Sequence, residues 1–478
     1  MPFHNNLTQK RRLPVARTKL SPGDLGRIAG DIVDREMDNI DFSVRIDKPE
    51  YRDRWSTVQA AMKAKGYDVG YACGSELDRS DVAWLTGFVE PIVERYGVLV
   101  PADGRPIVLA GCEGHHVVKE AADAAGCDLC VLRDFQISDE EYRNVKSDSI
   151  RDVMQKLHVG RNPRIAVWSP AEFLPHAQYQ MLTETFGAKN VVYDPLLLQL
   201  IKYEKRLKEL ALMEQANKVT DAAFRAMLAV TVPGIRESQV AGVGDFVCKA
   251  LGAHRTGFPT IVTSGSRNYT VIGPATDKVI ERGDVVSLGV SPTWHGYHGI
   301  VRRTVRAGVD FSAEQRTFVE AVEGLHNAVW EAMIEAAAKD LPAKHTDDAG
   351  KAYLARTKLK NVKGVMVGLK EPYSYFHNAG CSEAQEGYGA VTGAFEGPFG
   401  NRVSLMLDCA LLGFEEHGKP IFSCLYAVVE SSTWKNGKKV GIYNRWSAMT
   451  SPFPTQRRVR TIVPFPRRLS IVVHPTIR

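Results

Sequence analysis

The feature that most constrains this chain is the stretch LLLQLIKYEKRLKELALMEQANKVTDAAFRAMLAV (196–230), whose apolar residues recur at helical spacing. It predicts one long helix, ended by the stop Val232-Pro233-Gly234. The patterns on its two sides differ, so the helix marks a change of domain. With 478 residues, two domains are also what length suggests, each large enough to bury its own core.

Ahead of the helix, strands and helices alternate. YRDRWSTVQAAMKAKG reads as a helix ending at Gly66, VGYAC (69–73) as a strand, and YGVLVPADGRPIVLAG (96–111) as a hairpin around Asp103-Gly104. EGHHVVKEAADAAG and DSIRDVMQKLH follow as helices, with CDLCVLRDF, RIAVWS and NVVYD as strands. Such alternation predicts a mostly parallel or mixed sheet with both faces covered. The resulting division is an N-terminal arm with little core of its own (1–47), an α/β domain (48–195), a second domain (196–445) and a tail (446–478).

Charge separates the tail from the body. The net charge is +6, yet after Glu430 there is no acidic residue, while ten Lys and Arg lie between Ser431 and Arg478. The remainder is mildly acidic, with 51 basic against 55 acidic residues. The tail holds five prolines and no helical periodicity, so it reads as a solvated extension rather than a nucleic-acid or membrane anchor. No uncharged apolar run approaches the ~18 residues of a membrane span, and the N-terminus lacks the apolar core of a secretory signal. A cytoplasmic protein without nucleic-acid or membrane partners is expected. Of eight cysteines, only Cys127 and Cys130 form a CxxC, and no second pair completes a zinc site.

The second domain carries the chemistry. Gly283 to Thr304, GDVVSLGVSPTWHGYHGIVRRT, resembles the first metal-binding hairpin of the pita-bread superfamily: methionine aminopeptidases, proline-specific aminopeptidases and creatinases. Ile201-Lys202-Tyr203-Glu204-Lys205 with Glu214 is similar to that family's linker, and SYFHNAG to its histidine motif. The resemblance covers residues 50 to 445. It implies an α/β N-terminal creatinase-like domain followed by an α+β pita-bread domain with a curved antiparallel sheet.

In metal-dependent members, five side chains (Asp, Asp, His, Glu, Glu) hold two ions that activate water. Here the aspartate positions hold Ser287 and Ile300, and His377 keeps the histidine. Met406 aligns with the first glutamate, Asp408 lies two residues on along the same strand face, and 419–429 contains no carboxylate. Divalent ions need several oxygen or nitrogen donors, so neither a metal nor another cofactor is expected. His295 with His298, or Glu383, Glu386, Glu415, Glu416 and His417, are what a rebuilt site would draw on.

Creatinases work without metal, and their hairpin also has Ser and a small apolar residue in place of the aspartates. Their proton-shuttle histidine aligns with Ile272, and their guanidinium-orienting carboxylate with Arg302. Arg95 matches the arginine that a creatinase subunit lends its neighbour, which implies a homodimer. The candidate catalytic pair is His377, as general acid or base, with Asp408. Candidate substrate contacts are Arg95, Arg302, Tyr269, Tyr375 and His298; Arg303 belongs to the family's RT pair and reads as structural. Trp294, Tyr297 and Tyr373 either line a pocket or pack the sheet, and Cys381 or Cys409 would offer His377 a thiol partner.

These residues suggest a metal-independent, creatinase-like hydrolase or lyase cleaving a C–N bond, less readily C–S or C–O, in a small carboxylate-bearing molecule. The alternatives are an inactive pita-bread module that binds a ligand or partner, and a metallo-aminopeptidase with a rebuilt metal site.

Overall fold

The computed structural model describes residues 20–444 apart from 138–139, 269, 271, 361–365, 369–374, 382–394, 401, 417–418 and 434–438. The candidates Tyr269, Tyr373, Glu383, Glu386 and His417, the side chains of Glu415 and Glu416, and the basic tail lie outside what is described.

Helix α1 (Pro22–Glu36) starts the described chain, capped by Ser21, whose side chain accepts from Asp24 N. Helix α2 (Lys48–Lys65) opens on the Asp47 cap and closes at Gly66, with φ 68°. Strand β1 (Val69–Gly74), helix α3 (Ser80–Thr86) and strands β2 (Tyr96–Pro101) and β3 (Ile107–Ala110) follow. Then come α4 (His115–Ala125), β4 (Asp128–Val131), α5 (Ile150–Lys156), β5 (Ile165–Val167), α6 (His176–Phe186) and β6 (Val191–Tyr193). They build a mixed six-stranded sheet in the order β4-β3-β2-β1-β5-β6, with β2–β3 as the expected antiparallel hairpin. The strands are apolar runs because both faces are covered: Tyr71 and Leu99 point into one core, Ala72 and Val98 into the other. Cys127 and Cys130 divide between the same two cores, so the CxxC is not a redox pair facing one site.

The predicted 35-residue helix is two helices, α7 (Pro195–Tyr203) and α8 (Leu207–Val230). Periodicity alone missed the break at Glu204–Arg206, where the backbone turns extended (Glu204 ψ 113°, Arg206 ψ 157°) and Lys205 N donates to the Arg402 carbonyl at 2.7 Å. The arm has no core of its own, as expected, yet it is docked. Helix α1 packs on α8 and on α9 (Glu237–Ala250), burying Ala29 and Ile32.

The second domain continues with β7 (Arg255–Thr256), β8 (Ile261–Ser264), β9 (Val285–Val290), β10 (Pro292–Trp294), β11 (Tyr297–His298) and β12 (Val301–Arg306). Helices α10 (Ala313–Lys339) and α11 (Lys344–Arg356) follow, then β13 (Lys358–Lys360), β14 (Met366–Gly368), β15 (Phe376–Asn378), β16 (Arg402–Glu416), β17 (Lys419–Thr433) and β18 (Lys439–Asn444). The main sheet runs β15-β16-β17-β12-β9-β8, with β18 also on β17, and all these pairs are antiparallel. A smaller sheet, β11-β10-β7, stands beside it.

Register assigns the faces. Opposed residues of an antiparallel sheet share a face, and faces alternate along each strand. Val262, Leu288 and Cys409 lie on the face covered by α8, α9 and α10, in cores shared with Met227, Val240 and Phe318. Their strand neighbours Thr263, Ser287, Gly289, Arg302, Thr304, Met406, Asp408 and His377 therefore share the other, inner face.

Candidate active site

Two rows of the inner face hold the candidate chemistry. In the first, Thr263, Ser287 and Thr304 stand side by side on β8, β9 and β12, all buried. The Ser287 and Thr304 hydroxyl oxygens are 3.4 Å apart, so Ser287 is engaged with another hydroxyl where relatives place a carboxylate. In the second row, Gly289, Arg302, Tyr426 and Asp408 follow one another across β9, β12, β17 and β16. Arg302 is buried and leans over Gly289, its Cγ and Cδ 3.1 and 3.2 Å from where a Cβ would sit. A side chain at 289 would press on the stem of the arginine, which would have to give by a few tenths of an ångström. Arg302 and Asp408 are two strand separations apart, about 10 Å between backbones.

His377 pairs directly with Met406 and lies diagonal to Asp408, within reach of long side chains. Its Nδ1 lies 2.8 Å from the Asn378 carbonyl. A carbonyl only accepts, so Nδ1 carries the hydrogen and Nε2 is the basic nitrogen of the neutral ring. Met406 and Asp408 do share one face, as the period of two predicts.

Other candidates fall elsewhere. Tyr375 precedes β15, and its buried ring fills the space beside Gly350 of α11. Arg303 is also on the helix face, where its charge opposes protonation of His326 on α10. Cys409 faces the helices, opposite to His377, so it is not a thiol partner for that ring. Trp294 packs beside Phe42 at 5.5 Å rather than lining a pocket. His298 is buried on β11 against Gly257 and Ser291, while His295 sits at the hairpin turn with φ 46°, its ring 4.8 Å from His254. Arg95 is a half-buried residue of the first domain that donates weakly to the Asp134 carbonyl at 3.4 Å.

Two buried carboxylates that sequence reading overlooked hold this architecture. Glu237 accepts from Ser264 N and Oγ at 2.8 and 2.7 Å, from Thr276 Oγ1 at 2.9 Å, and from Arg267. It thereby fixes the turn after β8. Glu209 accepts from Trp84 Nε1 at 2.9 Å, Tyr297 Oη at 2.8 Å and Arg206 N at 2.9 Å. It joins α3, α8 and β11. Glu214, the linker residue singled out by resemblance, is 41% exposed and stands 3.9 Å from Lys218. The signal that distinguished them was helical phase: Glu209 sits among the apolar positions of α8.

Residues 211–391 match the metallopeptidase family M24. A Bacillus subtilis protein described as an uncharacterized peptidase, YqhT, is 40% identical over 111 residues, 23% of this chain and 31% of its own length. The Xaa-Pro dipeptidase of Pyrococcus horikoshii is 29% identical over 158 residues, 33% of this chain and 43% of its own. The chain thus spans less than half the length of either curated relative. Among solved structures, the Pyrococcus horikoshii prolidase superposes with a TM-score of 0.62 at 17% identity, covering 81% of this chain and 97% of that one. The Mycobacterium ulcerans dipeptidase PepE superposes with a TM-score of 0.63 at 19% identity, covering 84% and 96%. The chain shares the fold of these prolidases and dipeptidases. Its fold is an α/β N-terminal domain followed by a pita-bread domain.

The donor set of this chain does not fit the metal pair that the resemblance implies. Ser287 is a hydroxyl facing another hydroxyl, Ile300 is buried and has no donor, and Met406 offers a thioether. Among the described residues, no three His, Cys, Asp or Glu are grouped to hold an ion. No described helix is long and apolar enough to cross a membrane.

Proposed function

We propose that this chain is a hydrolase that cleaves a C–N bond in a small, carboxylate-bearing, peptide-like molecule. The observation that carries the reading is His377 on the inner face, tautomer set by the Asn378 carbonyl, diagonal to Asp408 and sharing that face with buried Arg302. The match of residues 211–391 to a peptidase family, and relatives named as Xaa-Pro dipeptidases, support amide hydrolysis.

In this reading His377 Nε2 removes a proton from the attacking water and returns it to the departing amine. Asp408 stabilises the imidazolium formed between those steps, and Arg302 holds the substrate carboxylate. No step is assigned to a metal, because the residues at the family's ligand positions do not suit one. The homodimer reading rests on Arg95, which would act on the cavity of a second copy.

A second reading, a metallo-aminopeptidase with a rebuilt site, is favoured by the same family match. It would draw on His295 with His298, or on Glu383, Glu386, Glu415, Glu416 and His417. Hydrolysis of Xaa-Pro dipeptides, measured after chelation and again after adding Mn²⁺ or Co²⁺, separates the two. Activity that survives chelation and disappears in His377→Ala supports the first. Activity lost to chelator and restored by metal supports the second. No hydrolysis of any dipeptide under either condition sinks both.

A further inference from the structure

Ser404 stands on β16 two residues before Met406, and therefore on the same inner face as Met406, Asp408 and His377. It is buried at 1% exposure, and its Oγ has no hydrogen-bond partner among the described residues. A hydroxyl taken out of water without a hydrogen bond destabilises a fold. Buried polar groups are satisfied by ordered water where no protein group serves.

Its place in the sheet puts such a water beside the proposed base. His377 pairs with Met406, so Ser404 and Asp408 are its two diagonal neighbours on β16. Diagonal neighbours lie about 7–8 Å apart, a gap that an imidazole and one water molecule span. Across the ladder from Ser404 is Ala379, whose N donates to the Ser404 carbonyl at 3.0 Å, so only a methyl group stands opposite the hydroxyl on β15. Asp408 and Arg302 both pair with Tyr426 of β17, and both lie on the far side of the row formed by His377 and Met406. A substrate held by Arg302 thus reaches His377 from one side and leaves the Ser404 side to water.

We infer that the Ser404 hydroxyl is a further catalytic group, which holds the attacking water against His377. The inference rests on the proposed hydrolase reading and names the residue that positions its nucleophile. The water donates one hydrogen to His377 Nε2 and the other to Ser404 Oγ, which leaves a lone pair directed at the carbonyl carbon. As the new C–O bond forms, the first proton passes to Nε2 and the π pair of the carbonyl moves onto its oxygen. When that pair returns, the C–N bond breaks and the amine leaves with the proton of the imidazolium. The second hydrogen stays with the oxygen that joins the new carboxyl group, and Ser404 ends as it began.

Hydrolysis of the dipeptide Ala-Pro by the chelated full chain tests it, in the parent, Ser404→Ala and Ser404→Thr. Loss of the hydroxyl should lower kcat on the order of tenfold to a hundredfold, the scale of a misplaced reactant, and leave KM within a few-fold. Ser404→Thr keeps the hydroxyl and should recover most of the turnover, which a role in packing alone would not allow. The thermal midpoint of Ser404→Ala should equal or exceed that of the parent, because an unsatisfied buried hydroxyl has gone. A lower midpoint would mean that the hydroxyl is satisfied inside the protein, where Glu430 is its strand partner on β17, and overturns the premise. Parental kcat in Ser404→Ala, or a Ser404→Thr variant as slow as Ser404→Ala, overturns the assignment. If the parent and Ser404→Ala cleave the dipeptide equally, the hydrolase reading stands and only the task of Ser404 is lost. A parent chain that cleaves nothing after chelation removes the metal-free hydrolase and the task of Ser404 together.

Discussion

The Tyr297 hydroxyl donates to the buried carboxylate of Glu209 at 2.8 Å, linking the hairpin of the pita-bread domain to the helix that begins it. The same carboxylate accepts from Trp84 of the first domain at 2.9 Å, and buried Arg54 approaches it to 4.0 Å while donating to the Trp84 carbonyl at 2.8 Å. Glu209→Ala removes the acceptor of Trp84, Tyr297 and Arg206 N and leaves buried donors unsatisfied, while Arg54 keeps its ion pair with Glu50 at 2.6 Å. It should cost about 3–5 kcal/mol, the usual effect of breaking a buried charged contact. Tyr297→Phe removes one hydrogen bond and should cost about 1–2 kcal/mol. Urea denaturation checks both, and equal losses in the two variants would deny Glu209 its central place.

Stability should fall in mild acid. His326 is buried beneath the sheet, and burial, then the Arg303 charge, push its pKa from 6.5 down to about 3. Between those values the unfolded chain binds a proton that the folded chain refuses. The stabilisation is therefore complete above the unfolded pKa and is lost as pH falls toward the folded one, by at most about 1.4 kcal/mol per pH unit for this group. His295, pushed down to about 4 by burial first, acts in the same direction. Denaturation curves at pH 7.5 and 5 measure the drop, and His326→Leu should flatten it. Identical stability at both pH values would contradict the buried, neutral His326.

Elemental analysis of the purified chain should find fewer than two transition-metal ions per chain. Ser287, Ile300 and Met406 remove donors from the family's positions, and the remaining ones do not complete a pair. A single bound ion would favour the rebuilt metal site, and none the metal-free reading. Two ions per chain would refute the residue-by-residue comparison.

His377→Ala should lower turnover by about two to four orders of magnitude, the scale of general acid–base catalysis, while substrate affinity stays within a few-fold. Arg302→Ala should instead weaken affinity by about 2–3 kcal/mol, the size of a charge-assisted hydrogen bond. Steady-state kinetics with separate binding measurements distinguishes the two effects. If both variants keep parental turnover and affinity, the inner face is not the active site.

Much of the fold was legible because its signals are local. The Gly66 stop, the hairpin at Asp103-Gly104 and the alternation of strands and helices each depend on neighbouring residues, and each is present in the structure. The break between α7 and α8 was not legible, because residues 204–206 carry no helix breaker. Contacts with β16, about two hundred residues away in sequence, bend the chain there. Tyr375 illustrates the same limit. It stands two residues before His377, where strand alternation alone would put both on one face, but it precedes β15 and its ring packs beside Gly350 of α11.

By itself the sequence determined the division into two domains, the pairing of Met406 with Asp408 on one face, and the absence of carboxylates at 287 and 300. Those properties follow from side-chain identity and from periods of two and 3.6 residues, which need no knowledge of distant partners. Only tertiary structure decided that Glu209 rather than Glu214 joins the domains, and that the ring of Tyr375 packs against α11. Strand register and domain docking set those outcomes. Both are settled by burial summed over many residues far apart in the chain, so no single segment carries the information.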